Sequence, residues 1–445
     1  MKKNIIIIGG GGAALFSGAT VLQMSKKYNV YMISDEELYC RCSSPYILNK
    51  RAELKNTIMP DEMITKFGIK LIKGKAININ YEKKIVKFES EKEIKNIKFE
   101  KLIFATGAKP FIPEIPGNKL KNVFKIRTAN DIKNIEQSIK KCKSVTIIGG
   151  GVIGVEIASA LRQRKLKINM LIIEDKVFQR ISDEEYSTLV NNHLKNNKIN
   201  IINNAKINRI VGENKCESII YDKDEKYHTL KTDIVIFATG VRANLELAKS
   251  INIKTNNFGI IVDDYMKTNL KNVYAVGDCC VAKSFISKKN EPSQLATNSV
   301  IQGKILGKNL AGIKTKYTGH TSATVLEFLN SEFGCAGYNE KQCKKAGIKY
   351  YTGISHSTDI YQDLKNARNI QVKLIFNKKT NKIIGVQSYG KNLIWIVNLI
   401  SFAIIQNTSI NDLINLDYAS HPSVSPWPFM DPIVDACEHA MKNNK

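Results

Sequence analysis

The sequence has no CxxC pair and no histidine-rich tract. Its nine cysteines, Cys40, Cys42, Cys142, Cys216, Cys279, Cys280, Cys335, Cys343 and Cys437, are odd in number and irregularly spaced. That pattern excludes the common zinc frameworks, so no metal site is expected, and it speaks against a disulfide-stapled secreted scaffold. A reduced, cytoplasmic chain fits better. Long apolar runs are also missing. The stretch from Leu393 to Ile405 is interrupted by Asn398 and Ser401 and falls short of the about 20 residues that span a bilayer. The four isoleucines that follow Met1-Lys2-Lys3-Asn4 are too few for a signal peptide. The expectation is a soluble protein with no membrane partner. Acidic residues are in deficit, with 67 Lys and Arg against 41 Asp and Glu and a net charge of +26. Such an excess suits polyanions. Lysine is nevertheless interleaved with glutamate, as from Lys83 to Lys101, and no basic block carries the aromatics that stack bases. Nucleic acid is therefore not expected as a partner.

What is present is repetition. At 445 residues and 43% hydrophobic content the chain can hold two to four domains with cores of their own. Ile5 to Ile8 lead into Gly9-Gly10-Gly11-Gly12-Ala13-Ala14 and then a helical pattern through Leu22. Val145 to Ile148 lead into Gly149-Gly150-Gly151-Val152-Ile153-Gly154 and a helical pattern through Leu161. Each is an uninterrupted apolar strand of the kind buried in parallel sheets, then a GxGxxG/A turn, then a helix. The first Gly of such a turn permits a tight bend, and the second, Gly11 or Gly151, lets a pyrophosphate approach the backbone. The third position, Ala14 or Gly154, must be small for helix and strand to pack. Free amide N–H groups at the helix start then hold the phosphates. Two such turns predict two dinucleotides.

Acidic residues follow each unit. Asn169 to Ile173 reads as the next strand and ends at Glu174, about 20 residues beyond the glycines, where a carboxylate binds ribose hydroxyls. It would repel a 2′-phosphate, so NADH is favoured over NADPH. In the first unit the strand Asn29 to Ile33 is followed by Ser34 and the ribose candidate Asp35. Two more strands echo each other: Lys101 to Gly107 and Asp233 to Gly240 both end in Ala-Thr-Gly, as Thr106-Gly107 and Thr239-Gly240. Val273 to Asp278 is another apolar strand, ending in Gly-Asp.

In this order of motifs the chain resembles the FAD-dependent pyridine nucleotide–disulfide oxidoreductases along nearly its whole length. The resemblance implies that the first turn holds FAD and the second NAD(P)H, with Asp278 on the FAD ribityl chain or phosphates. It implies an α/β fold: an FAD domain (residues 1–118 and 244–316) split by a Rossmann-like NAD domain (residues 119–243), then an α+β dimerisation domain (residues 317–445) and a homodimer. The complete αβ insert from about Asn122 to Arg242 agrees with that split.

Tyr39-Cys40-Arg41-Cys42-Ser43-Ser44-Pro45-Tyr46 is similar to the Cys-Gly-x-Pro-Tyr segment of the single-cysteine branch, which includes coenzyme A-disulfide reductases, NADH oxidases and persulfide or polysulfide reductases. Cys42 aligns with the redox cysteine, and Ser43 replaces the usual Gly. Ile47 stands where the two-cysteine branch has its second thiol. The resemblance implies electron flow from NADH through the flavin to Cys42, and on to a small disulfide, persulfide or polysulfide, or alternatively to O₂ or peroxide or to an electron-carrier protein. Cys42 should sit against the flavin on the face opposite the nicotinamide. Its reactive form is the thiolate, so its pKa is expected below the free value of about 8.5, with Arg41 or a helix N-terminus contributing. Cys40 is either a resolving thiol for Cys42 or an inert neighbour. Cys142, Cys216, Cys335, Cys343 and Cys437 read as small packing residues, and Cys279-Cys280 as packing at the start of the next helix.

Beyond Tyr317, Val372 to Phe376 and Ile383 to Gln387 read as strands joined by an Asn-Lys-Lys-Thr-Asn turn. The helix from Leu393 to Ile405, apolar nearly all round, suits burial against a partner. His421-Pro422 is similar to the His-Pro of the two-cysteine branch, whose histidine is an acid–base; Ser420 departs from the single-cysteine pattern. His421 is thus an acid–base candidate for a leaving thiolate, with Tyr361 and Tyr418 as further substrate contacts. Glu156 matches a family glutamate at the nicotinamide–flavin junction, and Val152 stands where the family often has a gating tyrosine.

Overall fold

The computed structural model describes residues 2–444. Two five-stranded parallel sheets form around the two repeated units. In the first, the order is Val273–Ala275, Lys101–Phe104, Lys3–Ile8, Tyr28–Ser34 and Lys70–Lys73. In the second it is Ile199–Ile202, Lys167–Leu171, Ser144–Ile148, Ile234–Phe237 and Val123–Lys125. The central strands are covered on both faces, which is why they are apolar throughout: Ile5, Ile6, Ile7, Val145 and Ile147 are fully buried. The helices after the glycine turns run over Gly12–Met24 and Val152–Gln163. The strand expected to reach Ile173 stops at Leu171. The chain there leaves the sheet to form a loop, where Ile172 N–H still donates to Ile202 O (2.9 Å) while Ile173 is exposed.

The last third folds as an antiparallel sheet in the order Thr324–Phe328, Ser331–Gly337, Ile383–Gly390, Asn369–Asn377 and Tyr350–Thr358. The helices Ile394–Gln406 and Pro432–Asn443 share a core with it. On Ile394–Gln406 the side turned from that core exposes Ile394 and Phe402, an apolar face of the kind a partner covers.

One local expectation fails. Cys279-Cys280 do not start a helix. A single 3-10 turn, Gly277–Cys279, passes into the strand Cys280–Lys283, and the next long helix begins only at Ala296. Pairing with Ile260–Ile261 and Asn290–Pro292 holds the segment extended. Both thiols are buried, as packing residues are.

Candidate active site

The two glycine turns are built alike. Gly9 and Gly149 each have φ of +117°, and a Cβ there would lie 2.1 Å from Ala105 O and 2.4 Å from Ala238 O respectively. No L side chain fits either place. Gly11 and Gly151 have nothing within 4 Å of a Cβ position. They precede their helices without a side-chain cap, so the first amide N–H groups are left for an anion. At the third position Ala14 is fully buried, and a Cβ on Gly154 would meet Gly149 O at 2.2 Å. This cradle fits a dinucleotide pyrophosphate at each turn.

The ribose candidates differ in how free they are. At the end of the first unit a cavity of about 250 Å³ is lined by Gly10, Ser34, Asp35, Glu36, Asp61 and Lys73 among others. Glu36 is taken up by Arg41 at 3.0 Å, whereas Asp35 has no ion pair among the described residues. In the second unit Glu174 is engaged by the exposed Arg180 at 2.6 Å.

The echo between the Ala-Thr-Gly strands has a structural cause: they are the two places where the chain crosses between the parallel sheets. Ala108–Pro110 pairs antiparallel with Val241–Ala243. Asn244 Nδ2 donates to Thr106 O at 2.8 Å, and Thr106 Oγ1 donates to Asn244 O at 3.0 Å. Gly107 and Gly240 turn there with φ of +63° and +90°. Asp278 lies beside this crossing and accepts from Ser299 Oγ at 3.2 Å. Arg127, which sequence reasoning missed, pairs with Asp278 at 3.6 Å and lies over Gly107. Burial, then the nearby Arg41, pulls the Arg127 pKa down. Arg127 stands just before the capping box of Thr128 and Asp131, and nothing in its local spacing marks it. Arg180 was missed for the same reason.

Cys42 lies in a 3-10 turn, Arg41–Ser43, which runs into the short helix Ser44–Leu48. Tyr39 and Ser44 hydroxyls are 2.9 Å apart, and Ser44 Oγ donates to Arg41 O at 2.7 Å, so the turn is pinned from beneath. The short helix packs on Val152–Gln163 of the second unit: Asn49 Nδ2 donates to Gln163 Oε1 (2.9 Å) and Arg164 Nη1 to Leu48 O (3.0 Å). This contact carries Cys42 within electrostatic reach of Glu156. Burial raises the Glu156 carboxyl to about 7, and it has no ion pair among the described residues.

The expectation of a depressed Cys42 pKa is corrected. The side chain is exposed, but the surrounding protein displaces enough water to raise the thiol pKa, and the charges of Cys40 and then Glu156 raise it further. Arg41 lowers it only slightly, because its guanidinium is turned toward Glu36 and Arg127 O. A testable consequence follows. Above pH 7 the Glu156 carboxylate opposes the Cys42 thiolate, so Glu156→Gln should move the midpoint of Cys42 alkylation by iodoacetamide to lower pH. An unchanged midpoint would mean that the two groups are not coupled.

The other site candidates lie apart from this cluster. His421 is exposed, and its ring Nδ1 meets Ser423 Oγ at 2.9 Å while its backbone N–H donates to Ser425 Oγ at 2.9 Å. All its hydrogen bonds stay within residues 421–425. Tyr361 packs edge-on against Trp427, and Tyr418 donates to Pro428 O at 2.9 Å. Cys216, Cys343 and Cys437 are buried, and desolvation pushes each thiol up to about 12.

Residues 3–303 match the pyridine nucleotide-disulphide oxidoreductase family, and residues 323–428 match the dimerisation domain of the same family. The chain belongs to this family. It is an NAD(P)H-dependent flavoprotein oxidoreductase whose cofactors are FAD and NADH. A protein of Methanocaldococcus jannaschii named NADH oxidase is 30% identical over 98% of each chain. A protein of Pyrococcus horikoshii named NAD(P)H coenzyme A polysulfide/persulfide reductase is 28% identical over 98% of this chain and 97% of its own. Among solved structures, an NAD-dependent persulfide reductase from A. fulgidus superposes with a TM-score of 0.94 at 26% identity, over 99% of this chain and 83% of that one. No helix among the described residues is long and apolar enough to cross a membrane.

Proposed function

We propose that this oxidoreductase passes electrons from NADH to a small disulfide, persulfide or polysulfide through Cys42. The observation that carries the reading is the placement of an exposed Cys42 thiol at the contact between the two dinucleotide units, beside Glu156. The first turn (Gly9, Gly11, Gly12, Ala14), with Asp35, Thr106, Gly107 and Asp278, holds FAD. The second (Gly149, Gly151, Gly154), with Gly240 and Glu174, holds NADH, and the Glu174 carboxylate disfavours a 2′-phosphate. When bound, the flavin supplies a two-electron link between hydride and sulfur.

The residues of the chain do the rest. Cys42 attacks the electrophilic sulfur as a thiolate and so must first lose its proton. Glu156, titrating at about 7, is poised to take that proton near neutral pH. His421 of the exposed tail serves a second copy's site as acid–base, which makes the homodimer part of the mechanism. The partition into residues 1–118 with 244–316, 119–243 and 317–445, in a cytoplasmic enzyme, completes the reading. The relatives named NADH oxidase, one of them at 30% identity, favour a second reading in which Cys42 cycles through a sulfenic acid and O₂ or peroxide is the acceptor.

Anaerobic reduction with NADH, followed by a panel of coenzyme A disulfide, polysulfide, O₂ and peroxide, separates the two. Polysulfide or coenzyme A disulfide turnover should exceed oxygen consumption by at least about tenfold. The reverse ratio would establish the oxidase reading instead.

A further inference from the structure

We propose that Cys40 is a second redox thiol, and that a Cys40–Cys42 disulfide forms within the catalytic cycle. The inference rests on the reading of Cys42 as the redox thiol. Among the described cysteines only these two are exposed. Cys40 immediately precedes the Arg41–Ser43 turn, and Ser43 N–H closes the turn by donating to Cys40 O at 3.0 Å. In a 3-10 turn the Cα atoms of residues i and i+2 lie about 5–6 Å apart, inside the span of about 4.4–6.8 Å that a disulfide bridges. The backbone on the other side is fixed: Cys40 N–H donates to Thr57 O at 2.9 Å, and Tyr39 pairs with Ile58. The two thiols also feel each other. Of all charged groups, Cys40 raises the Cys42 thiol pKa most, ahead of Glu156, and Tyr39 is affected by both sulfurs. The adjacent pair Cys279-Cys280 differs in every respect: both are buried, and their thiols donate to the carbonyls of Phe104 and Gly277 at 3.4 and 3.3 Å.

The chemistry balances. Cys42 thiolate attacks the sulfane sulfur of a persulfide R–S–SH, forming Cys42–S–SH and releasing R–S⁻. Cys40 thiolate then attacks the Cys42 sulfur, forming the Cys40–Cys42 disulfide and expelling HS⁻. The two electrons supplied by NADH, with a proton, reopen the disulfide to the two thiols. The net change is persulfide plus NADH plus a proton giving thiol, hydrogen sulfide and NAD⁺. Cys40 thus removes the outer sulfur from Cys42 without a second thiol from solution.

The test takes holoenzyme with both thiols reduced and excess NADH removed, treats it with one equivalent of sodium polysulfide, quenches in acid, and alkylates with N-ethylmaleimide. Cleavage at Glu37 and Glu53 releases both cysteines in one peptide. That peptide should be unalkylated at both thiols and lighter by two hydrogens. In Cys40→Ser it should instead carry an extra sulfur on Cys42, and polysulfide turnover should fall by about tenfold, normalised to bound flavin. Turnover of Cys40→Ser at the wild-type rate, or Cys40 alkylated in every quenched wild-type sample, would overturn the proposal while leaving the Cys42 reading intact. Full turnover in Cys42→Ser would instead remove that reading itself.

Discussion

Replacement of Cys42 by serine is expected to lower disulfide, persulfide or polysulfide turnover by about 10³-fold or more, while reduction of the bound flavin by NADH proceeds. The reason lies in how the site divides the work. On the proposed reading, hydride enters through the second dinucleotide unit, at Gly149 to Gly154 and Glu174. Sulfur chemistry needs a nucleophile on the acceptor side, and Cys42 is an exposed thiol within electrostatic reach of Glu156 at that contact. A serine hydroxyl keeps nearly the same volume, so the turn pinned by Tyr39 and Ser44 should survive. It cannot form a persulfide or a disulfide. Stopped-flow flavin bleaching and steady-state sulfide release, measured on the same preparation, check both halves. Equal loss in both would point to a folding or cofactor defect, and loss in neither would end the role of Cys42.

Lys373→Met is expected to destabilise the protein by about 3–5 kcal/mol, the second large effect. Lys373 is 2% exposed and places its ammonium among Asp183 (3.0 Å), Glu185 (2.5 Å) and Glu340. Three carboxylates that would otherwise suggest a metal are thereby already served by a cation. Burial works to lower the pKa of that ammonium, but its hydrogen bonds to Glu185 and Glu340 and the charge of Asp183 more than reverse the effect. The ammonium therefore stays charged at any working pH.

The cluster joins two parts of the chain. Asp183 and Glu185 begin the helix that starts at Glu184 beside the second parallel sheet, whereas Lys373 and Gln387 are on the antiparallel sheet. Asp183 spends its carboxylate on that contact rather than on capping its own helix, accepting from Gln387 Nε2 at 2.5 Å and Glu340 N–H at 2.9 Å. Methionine keeps the volume but leaves the carboxylates facing one another without a cation. Loss of thermal stability, with hydrogen exchange rising first in the Glu184–Asn196 helix, would be the observation. Adding Glu340→Gln to Lys373→Met should recover part of the loss, since the pair is coupled. A Lys373→Met protein as stable as wild type would show that the cluster does not hold the two parts together.

The sequence by itself determined the two parallel-sheet units and their glycine turns. That information is local: an apolar strand, a glycine that must take positive φ, and a helix start with free N–H groups all lie within about a dozen residues. Two of the five C-terminal antiparallel strands, Asn369–Asn377 and Ile383–Gly390, and the apolar Ile394–Gln406 helix were legible for the same reason, since each is an apolar run of neighbouring residues. The sequence resemblance also singled out Cys42 and Glu156. Only the tertiary structure put them together, because the Ser44–Leu48 and Val152–Gln163 helices belong to different units and meet through packing. Tertiary surroundings also decided the sign of the Cys42 shift. Arg41 is next to Cys42 in the chain, yet its guanidinium is drawn to Glu36 and Arg127 O, so adjacency in sequence gave the wrong electrostatics. Arg127 beside Asp278 and Lys373 among its carboxylates were invisible for a related reason. Their partners lie from 33 to 190 positions away in the chain, and a charge acquires its meaning from what folding places within a few ångströms of it.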